Sequence, residues 1–106
     1  MIYDQRTYTC KPGTIAKQLA VYEKFGFAAQ TRNLGQPLLF AMTEVGNINS
    51  YVHIWAYKDL AERDTKRAAL MADPDWQTYL KESSDAGYLV HQETTIRKSI
   101  PFISGS

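Results

Sequence analysis

The sequence has little cysteine, little histidine and no excess of charge of either sign. Of its 106 residues one is cysteine and two are histidine, and 12 Lys and Arg side chains stand against 11 Asp and Glu. The single cysteine, Cys10, excludes an internal disulfide, and no cluster of Cys and His has the spacing of metal ligands. Balanced charge argues against an electrostatic grip on nucleic acid or anionic lipid. We therefore expect no metal and no nucleic-acid partner.

Long apolar runs and nucleotide-binding motifs are also missing. No segment approaches the ~20 apolar residues that cross a bilayer, and the first residues carry Asp4 without an apolar stretch, which is unlike a signal peptide. We expect no membrane partner and a cytoplasmic location, where thiols stay reduced. No glycine-rich phosphate loop or zinc-protease motif occurs, and we expect no cofactor. Cys10 precedes Lys11, which makes a reactive thiol the alternative to the favoured interpretation of a small, packed apolar side chain.

The sequence does contain a regular succession of strand and helix signals. β-Branched and aromatic residues indicate strands, and apolar residues spaced three and four apart indicate helices. The predicted elements are a strand over Ile2–Cys10, a helix from about Thr14 to about Thr31, strands over Leu38–Val45 and Ser50–Tyr57, helical segments over Leu60–Ala72 and from Asp73-Pro74 to Gly87, and a strand from Tyr88 to about Lys98. This β-α-β-β-α-β order is that of a ferredoxin-like α+β fold, with an antiparallel sheet and helices on one face only. We predict one domain over residues 1–106 with a loose end at Ser104-Gly105-Ser106.

Boundary residues refine this prediction. Thr14, Asp59 and Asp73 stand where helix N-caps are expected. Gly26 weakens the later turns of the first helix. Ser83-Ser84 is interpreted as part of an exposed helix end.

Alternation along the third strand separates two rows of side chains. Val52, Ile54 and Ala56 are small and aliphatic, which suits packing beneath helices. The opposite row is bulky, aromatic and able to hydrogen-bond, which is unsuited to solvent. With the first and last strands included, the row that we expect on the face away from the helices is Asp4, Arg6, Tyr8, His53, Trp55, Tyr57, His91 and Glu93. We expect a second copy of the chain to cover this row, giving a homodimer through the sheet face.

The candidate site residues belong to the same row. His53 is the leading catalytic candidate because imidazole titrates near neutral pH, and a hydrogen-bonded structural histidine is the alternative. Arg6 would bind an anionic substrate oxygen or pair with Asp4 or Glu93, and Tyr8 would donate to a developing oxyanion. The predicted ligand-binding residues are Trp55, Tyr57, His91 and Glu93.

Three motifs, in order along the chain, resemble the NIPSNAP family. They are Arg6-Thr7-Tyr8-Thr9 followed by Lys11-Pro12-Gly13, Val52-His53-Ile54-Trp55-Ala56-Tyr57 followed by Leu60, Glu62 and Arg63, and Arg67-Ala68-Ala69-Leu70 followed by Asp73-Pro74 and Trp76. The resemblance extends from Ile2 to about Phe102. It implies a dimeric α/β barrel, in which two ferredoxin-like sheets face each other with the helices outside. It implies no settled activity, and proteins with the same barrel include cofactor-independent monooxygenases acting on aromatic polyketides, haem enzymes, and small degradative isomerases or decarboxylases.

Two functions remain open at this point. The first is a small cofactor-independent enzyme, monooxygenase- or isomerase-like, that acts on a hydrophobic or aromatic small molecule. The second is a non-enzymatic ligand-binding or homo-oligomeric assembly module. A pocket that contains His53 would favour the first, and solid packing around His53 and Arg6 would favour the second.

Overall fold

Strands and helices follow one another in the order that the sequence predicts. The computed structural model describes residues 1–103. The elements are β1 (Ile2–Cys10), α1 (Ile15–Phe25), α2 (Phe27–Leu34), β2 (Leu39–Met42), β3 (Ser50–Tyr57), α3 (Leu60–Ala72), α4 (Pro74–Ala86) and β4 (Leu89–Lys98). The predicted loose end at residues 104–106 lies outside the described residues.

The strands form one antiparallel sheet in the order β2-β3-β1-β4. Arg6 on the inner strand β1 lies opposite His53 of β3 on one side and Thr94 of β4 on the other. Residues paired in this way project to the same face of a sheet, so the register decides which side chains of different strands are neighbours. The predicted ferredoxin-like α+β fold is confirmed.

Helix boundaries are mostly set by the residues expected to set them. Asp59 caps α3, because its carboxylate accepts a hydrogen bond from the backbone N–H of Glu62 at 2.9 Å. Asp73 caps α4 in the same manner. Thr14 differs from its predicted role, since its hydroxyl donates to the carbonyl of Lys11 at 2.7 Å and caps nothing in α1.

The first predicted helix is two helices, divided at Gly26. The ring of Tyr79, from α4, lies so close to this point that a Cβ on Gly26 would be 2.9 Å from it. A side chain at residue 26 would therefore displace α4, and the absence of one lets the helices approach closely. The predicted single helix to Thr31 is thus wrong in its continuity, and helical structure continues to Leu34.

The predicted orientation of β3 is wrong. Trp55 and Tyr57 are each 1% exposed, in a core cluster that includes side chains from all four helices. The register carries Asp4, Arg6 and Tyr8 to the same side. The aromatic row thus lies beneath the helices, and the argument for a homodimer that depended on its facing outward lapses.

The area of the rings explains this outcome. A buried Trp or Tyr removes about 150–250 Å² from water, so placing the aromatic row inward gains more free energy than placing the row of Val52, Ile54 and Ala56 there. That aliphatic row lies on the other face of the sheet, which we call the open face because, within residues 1–103, no helix packs on it. The sequence prediction gave too much weight to the polar atoms of the phenols.

His91 and Glu93 lie on the face away from the helices, as predicted, but they do not share it with the aromatic row. His91 lies opposite Thr9 and Glu93 opposite Thr7, so both belong to the open face. Their side chains are exposed and contact each other, with Nε2 of His91 3.2 Å from Oε1 of Glu93. Neither lies near Arg6 or His53, because the sheet separates them.

Candidate active site

A cavity of about 480 Å³ lies between the sheet and the helices. Its lining comprises Arg6, Tyr8, Tyr22, Gln30, Phe40, Tyr51, His53, Arg67, Met71, Trp76, Tyr79, Leu80, Ser83, Ser84, Gly87, Leu89 and Gln92. This size is within the range of small-molecule sites, about 300–1,000 Å³. Among the described lining residues there is no Asp or Glu, so the side chains offer mainly rings and hydrogen-bond donors.

One wall of the cavity is a row of four nearly parallel rings on the sheet, which we call the aromatic wall: Phe40, Tyr51, His53 and Tyr8. The ring centroids of Phe40 and His53 are 4.8 Å apart, and those of His53 and Tyr8 are 5.2 Å apart, with interplanar angles of 18° and 14°. Tyr8 and Tyr51 are also 5.2 Å apart. Because adjacent strands hold these rings side by side, the wall is rigid and suited to contact with a flat ligand.

His53 is held in one tautomer by its neighbour on the same face, Trp55. The indole Nε1–H of Trp55 donates a hydrogen bond to Nδ1 of His53, so Nδ1 is an acceptor and the ring proton is on Nε2. Burial lowers the pKa of His53 to about 3, and the positive charges of Arg6 and Arg67 act in the same direction. His53 is therefore a neutral donor through Nε2–H at neutral pH, and the expectation that it would titrate near neutrality is wrong.

The side chain of Tyr8 contacts both the ring of His53 and the guanidinium group of Arg6. Its hydroxyl oxygen accepts a hydrogen bond from Nε of Arg6 at 3.1 Å, and its own proton makes no hydrogen bond within residues 1–103. The same holds for Nε2–H of His53. Two donors on neighbouring strands are thus available to a molecule in the cavity.

Two guanidinium groups pair with a buried carboxylate beside the cavity, and a third guanidinium lies on the cavity itself. Asp4 is fully buried, with Oδ2 2.9 Å from Nε of Arg63 and Oδ1 3.6 Å from Nη1 of Arg6. Arg67, one turn of α3 beyond Arg63, lines the cavity. Burial lowers the pKa of Arg67, and repulsion from Arg6 lowers it further. The charge in this region is positive.

Phenols make up much of the remaining polar lining, and burial keeps them protonated. Desolvation raises the pKa values of Tyr22, Tyr51 and Tyr79. Tyr22 donates to Oε1 of Gln30 at 2.6 Å, and Tyr79 accepts from Nε2 of Gln18 at 3.1 Å. At neutral pH these groups hydrogen-bond without charge.

The predicted site residues divide into three groups. Arg6, Tyr8 and His53 line the cavity together, although on the opposite face of the sheet from the one predicted. Trp55 and Tyr57 are in the core and do not line it, and the contribution of Trp55 is its hydrogen bond to His53. His91 and Glu93, already placed on the open face, are outside the site. The catalytic and ligand-binding roles assigned to all of these residues remain predictions.

Several lining residues were missed. Arg67 carries a signal that could have found it, because Arg63, Arg67 and Leu70 are spaced four and three apart and lie on the inner side of α3. Ser83 and Ser84 both line the cavity. Ser83 is buried, so its assignment to an exposed helix end is wrong, whereas Ser84 is exposed near the end of α4, as predicted. Tyr51 was in the correct row but was not proposed as a site residue.

The structure also bears on the thiol of Cys10, on metal binding and on membrane-spanning helices. Cys10 is 2% exposed, and desolvation raises the pKa of its thiol, in agreement with the packed, unreactive interpretation. Within residues 1–103, no three His, Cys, Asp or Glu side chains are grouped closely enough to hold a metal ion. No helix in this range has the length and apolar character needed to cross a membrane.

Comparison with known proteins decides the family. The family model described as NIPSNAP matches residues 3–104. The chain belongs to the NIPSNAP family. A NIPSNAP family protein with unknown function from Agrobacterium tumefaciens is 38% identical, with a TM-score of 0.86 over 98% of this chain and 92% of that chain. A NIPSNAP domain protein from Burkholderia xenovorans is 30% identical, with a TM-score of 0.87 over 97% and 98% of the two chains.

Curated NIPSNAP relatives are longer. Protein NipSnap homolog of Dictyostelium discoideum is 32% identical over 75 residues, which are 71% of this chain and 33% of the relative. The chain thus spans about a third of that relative's length. An antibiotic biosynthesis monooxygenase of known structure has a TM-score of 0.64 at 17% identity, a likeness of fold alone.

Proposed function

We propose that this NIPSNAP domain is a small enzyme whose active site is the cavity between sheet and helices. Its substrate is an aromatic or carbonyl-bearing molecule that reacts through an oxygen anion, an enolate or a phenolate. The proposal depends on two neighbouring hydrogen-bond donors in the cavity. Neither Nε2–H of the neutral His53 ring nor the hydroxyl proton of Tyr8 has an acceptor within residues 1–103. Donors that are fixed before the reaction stabilise a developing anion without reorganisation.

The roles of the residues differ from the first expectation for His53. A histidine that is neutral and already protonated on Nε2 donates a hydrogen bond to the substrate oxygen and does not remove a proton through that nitrogen. Tyr8 donates a second hydrogen bond, and Arg6 polarises that hydroxyl through its own bond to the phenol oxygen. Since no described lining residue is a carboxylate, the substrate proton passes to water in the cavity.

The anion leads to either of the two reaction types under consideration. In an isomerase-like reaction, the proton taken from one carbon returns to another. In a monooxygenase-like reaction, molecular oxygen is the oxidant, and a CH₂ group becomes a carbonyl with release of water. Both begin with removal of a proton, so one measurement tests both.

Exchange of that proton with solvent deuterium is the measurement. Carbonyl compounds with an aromatic substituent are incubated with the protein in D₂O, and loss of the C–H signal next to the carbonyl is followed by NMR. The protein should accelerate exchange for at least one compound, and His53→Gln should lower the acceleration by about 10²–10³, the usual effect of losing one oxyanion donor. His91→Gln, which removes the exposed histidine, is the matched control and should exchange like the parent.

Circular dichroism verifies that His53→Gln is folded. Equal exchange by the parent and His53→Gln would remove His53 from the mechanism. Binding without any accelerated exchange would favour the second function, a non-enzymatic ligand-binding module.

We also propose that the chain forms a homodimer, and that it does so through the open face. Val52, Ile54 and Ala56 are only half-buried, and Leu39 beside them is 45% exposed. A second copy would cover this apolar row, which adds burial to a small domain with a limited core. Light scattering after size exclusion should give twice the chain mass, and Ile54→Lys should give the chain mass. A parent that is monomeric at about 50 µM, well above ordinary dimer dissociation constants, would contradict the dimer.

A cytoplasmic location remains part of the proposal. The unpaired, buried thiol of Cys10 is consistent with a reducing compartment. Fractionation of cells with an antibody to the chain would test it, and recovery in a membrane or secreted fraction would contradict it.

A further inference from the structure

The charges where β1 runs beneath α3 do not balance. The carboxylate of Asp4 is shared by two guanidinium groups, those of Arg63 at 2.9 Å and Arg6 at 3.6 Å. Arg67 makes no hydrogen bond and no ion pair with any residue in the range 1–103. Arg63 also pairs with the exposed carboxylate of Asp64 at 3.5 Å. Three cations and two carboxylates leave one positive charge without a partner, and Arg67 carries it.

The surplus lies on the cavity. Arg6 and Arg67 both line it, and the described lining contains no acidic side chain. The side chain of Arg6 is 13% exposed, so water screens its charge only partly. A cation in such a place without a counter-charge costs free energy, and this is reflected in the lowered pKa of Arg67. A bound anion would remove that cost.

A purely structural role for Arg67 fits these contacts poorly. Asp4 Oδ2 is already bonded by Arg63, so Arg67 is not needed to neutralise the carboxylate. The neighbours of Arg67 on the inner side of α3 are Leu70, in the core, and Met71, on the cavity. An apolar side chain at residue 67 would continue that surface and would avoid the repulsion from Arg6.

We propose that the cavity binds an aromatic carboxylate, with the carboxylate at Arg67 and Arg6 and the ring against the aromatic wall. The inference rests on the proposed function, since it names the substrate class of the same site. A planar carboxylate matches the fork of a guanidinium, which can give two parallel hydrogen bonds. The remaining donors, Nε2–H of His53 and the hydroxyl of Tyr8, are then left for a carbonyl or phenol oxygen elsewhere on the molecule.

The test compares acids with their neutral counterparts. The probes are benzoate with benzamide, phenylacetate with phenylacetamide, and phenylpyruvate with its methyl ester. Dissociation constants are measured by calorimetry or by ligand-observed NMR on the full chain at low ionic strength. At least one acid should bind about tenfold or more tightly than its neutral partner, as expected for a charge-assisted pair.

Arg67→Gln is the decisive variant, because Arg67 has no partner whose loss would unfold the protein. It should lower the affinity for the acid by about tenfold or more and leave the affinity for the neutral partner unchanged. Arg67→Lys keeps the charge and should retain part of the preference. Arg97→Gln is the matched control: its guanidinium bonds Gln5 on the open face, and its loss should change neither constant.

Thermal unfolding gives an independent measurement. Without ligand, Arg67→Gln should unfold at the same temperature as the parent or at a higher one, because a repelled cation has been removed. Added acid should raise the unfolding temperature of the parent more than that of the variant.

The outcomes separate this inference from the proposed function. Equal affinities for acid and neutral partner, with binding at the cavity, would overturn the carboxylate assignment and leave the proposed enzyme intact. Inorganic phosphate is tested as a competitor. If its dissociation constant equals that of the acids, the aromatic carboxylate is overturned in favour of a simple anion site. No binding by any member of the three pairs would overturn both proposals.

Discussion

The buried, neutral His53 makes a quantitative prediction about stability and pH. Its imidazole is 3% exposed and its pKa is lowered from 6.5 to about 3. The unfolded chain takes up a proton near pH 6.5, whereas the folded chain does not until about pH 3. Stability from this group is therefore complete above pH 6.5 and is lost progressively as the pH falls toward 3.

The size of the effect follows from the pKa difference. Each pKa unit corresponds to about 1.4 kcal/mol, so the difference amounts to roughly 5 kcal/mol when fully developed. Between about pH 8 and about pH 5, where most carboxylates remain ionised, the loss is about 2 kcal/mol. Urea unfolding at these two pH values measures it directly.

Replacement of His53 isolates the contribution. In His53→Gln the free energy of unfolding should change less between the two pH values than in the parent, by about 2 kcal/mol. His91→Gln, which removes the other histidine from an exposed position, is the matched control and should behave as the parent does. The reasoning would be refuted by an equal pH dependence in all three proteins, or by an NMR titration of the parent in which the His53 ring protonates near pH 6.5.

Three further predictions concern packing, charge and the thiol. Gly26→Ala places a Cβ 2.9 Å from the Tyr79 ring and should cost about 1–3 kcal/mol of unfolding free energy; an unchanged urea midpoint would contradict the close approach. Asp4→Asn removes the one buried counter-charge of the arginines and should cost about 3–5 kcal/mol, visible as a clear drop in unfolding temperature, while a stable variant would mean that water neutralises them. Cys10 should react with a maleimide ~100-fold more slowly in the native chain than in urea, because its thiol is buried and its pKa raised; equal rates would show that β1 opens readily at its end.

Much of the fold follows from local signals in the sequence. The bounds of β3, Ser50–Tyr57, are those predicted from its β-branched and aromatic residues. Asp59 and Asp73 cap the helices that they were expected to cap. Such features depend on residues close together in the chain, so the sequence contains them directly.

The orientation of the sheet could not be obtained in this way. Alternation separates Val52 and Ile54 from His53 and Trp55, but it does not say which row meets the helices. That choice depends on how much area each row buries against side chains far away in sequence, such as Tyr22 and those of α4. Ser83 shows the same limit, since its burial depends on Gln18, 65 residues earlier in the chain.

The cavity cannot be predicted from a sequence pattern, because it depends on how all the helices pack on the sheet. It is the space left where the helices do not fill the volume above β1 and β3, and its lining comes from all eight elements and the turn before β4. The motif residues Arg6, Tyr8 and His53 were nevertheless chosen correctly as a group, because one register brings β1 and β3 together whichever face they take. The pairing of Arg6 with His53 thus survives the error in orientation.

The two proposed properties of the molecule, ligand binding and dimer formation, use opposite faces of the sheet. Tyr51 and His53 point into the cavity, and Val52 and Ile54, which alternate with them, point to the open face. Pairing of two copies and binding of a ligand would therefore use alternate residues of one strand. Because a strand cannot shift by one residue without exchanging its faces, a partner on the open face would hold β3 in the register that aligns His53 with Tyr8. Assembly would then support the site without contributing a residue to it. The Ile54→Lys variant tests whether the ligand site depends on the dimer. If the variant is a monomer and binds the aromatic acids with the affinity of the parent, the register of β3 needs no partner.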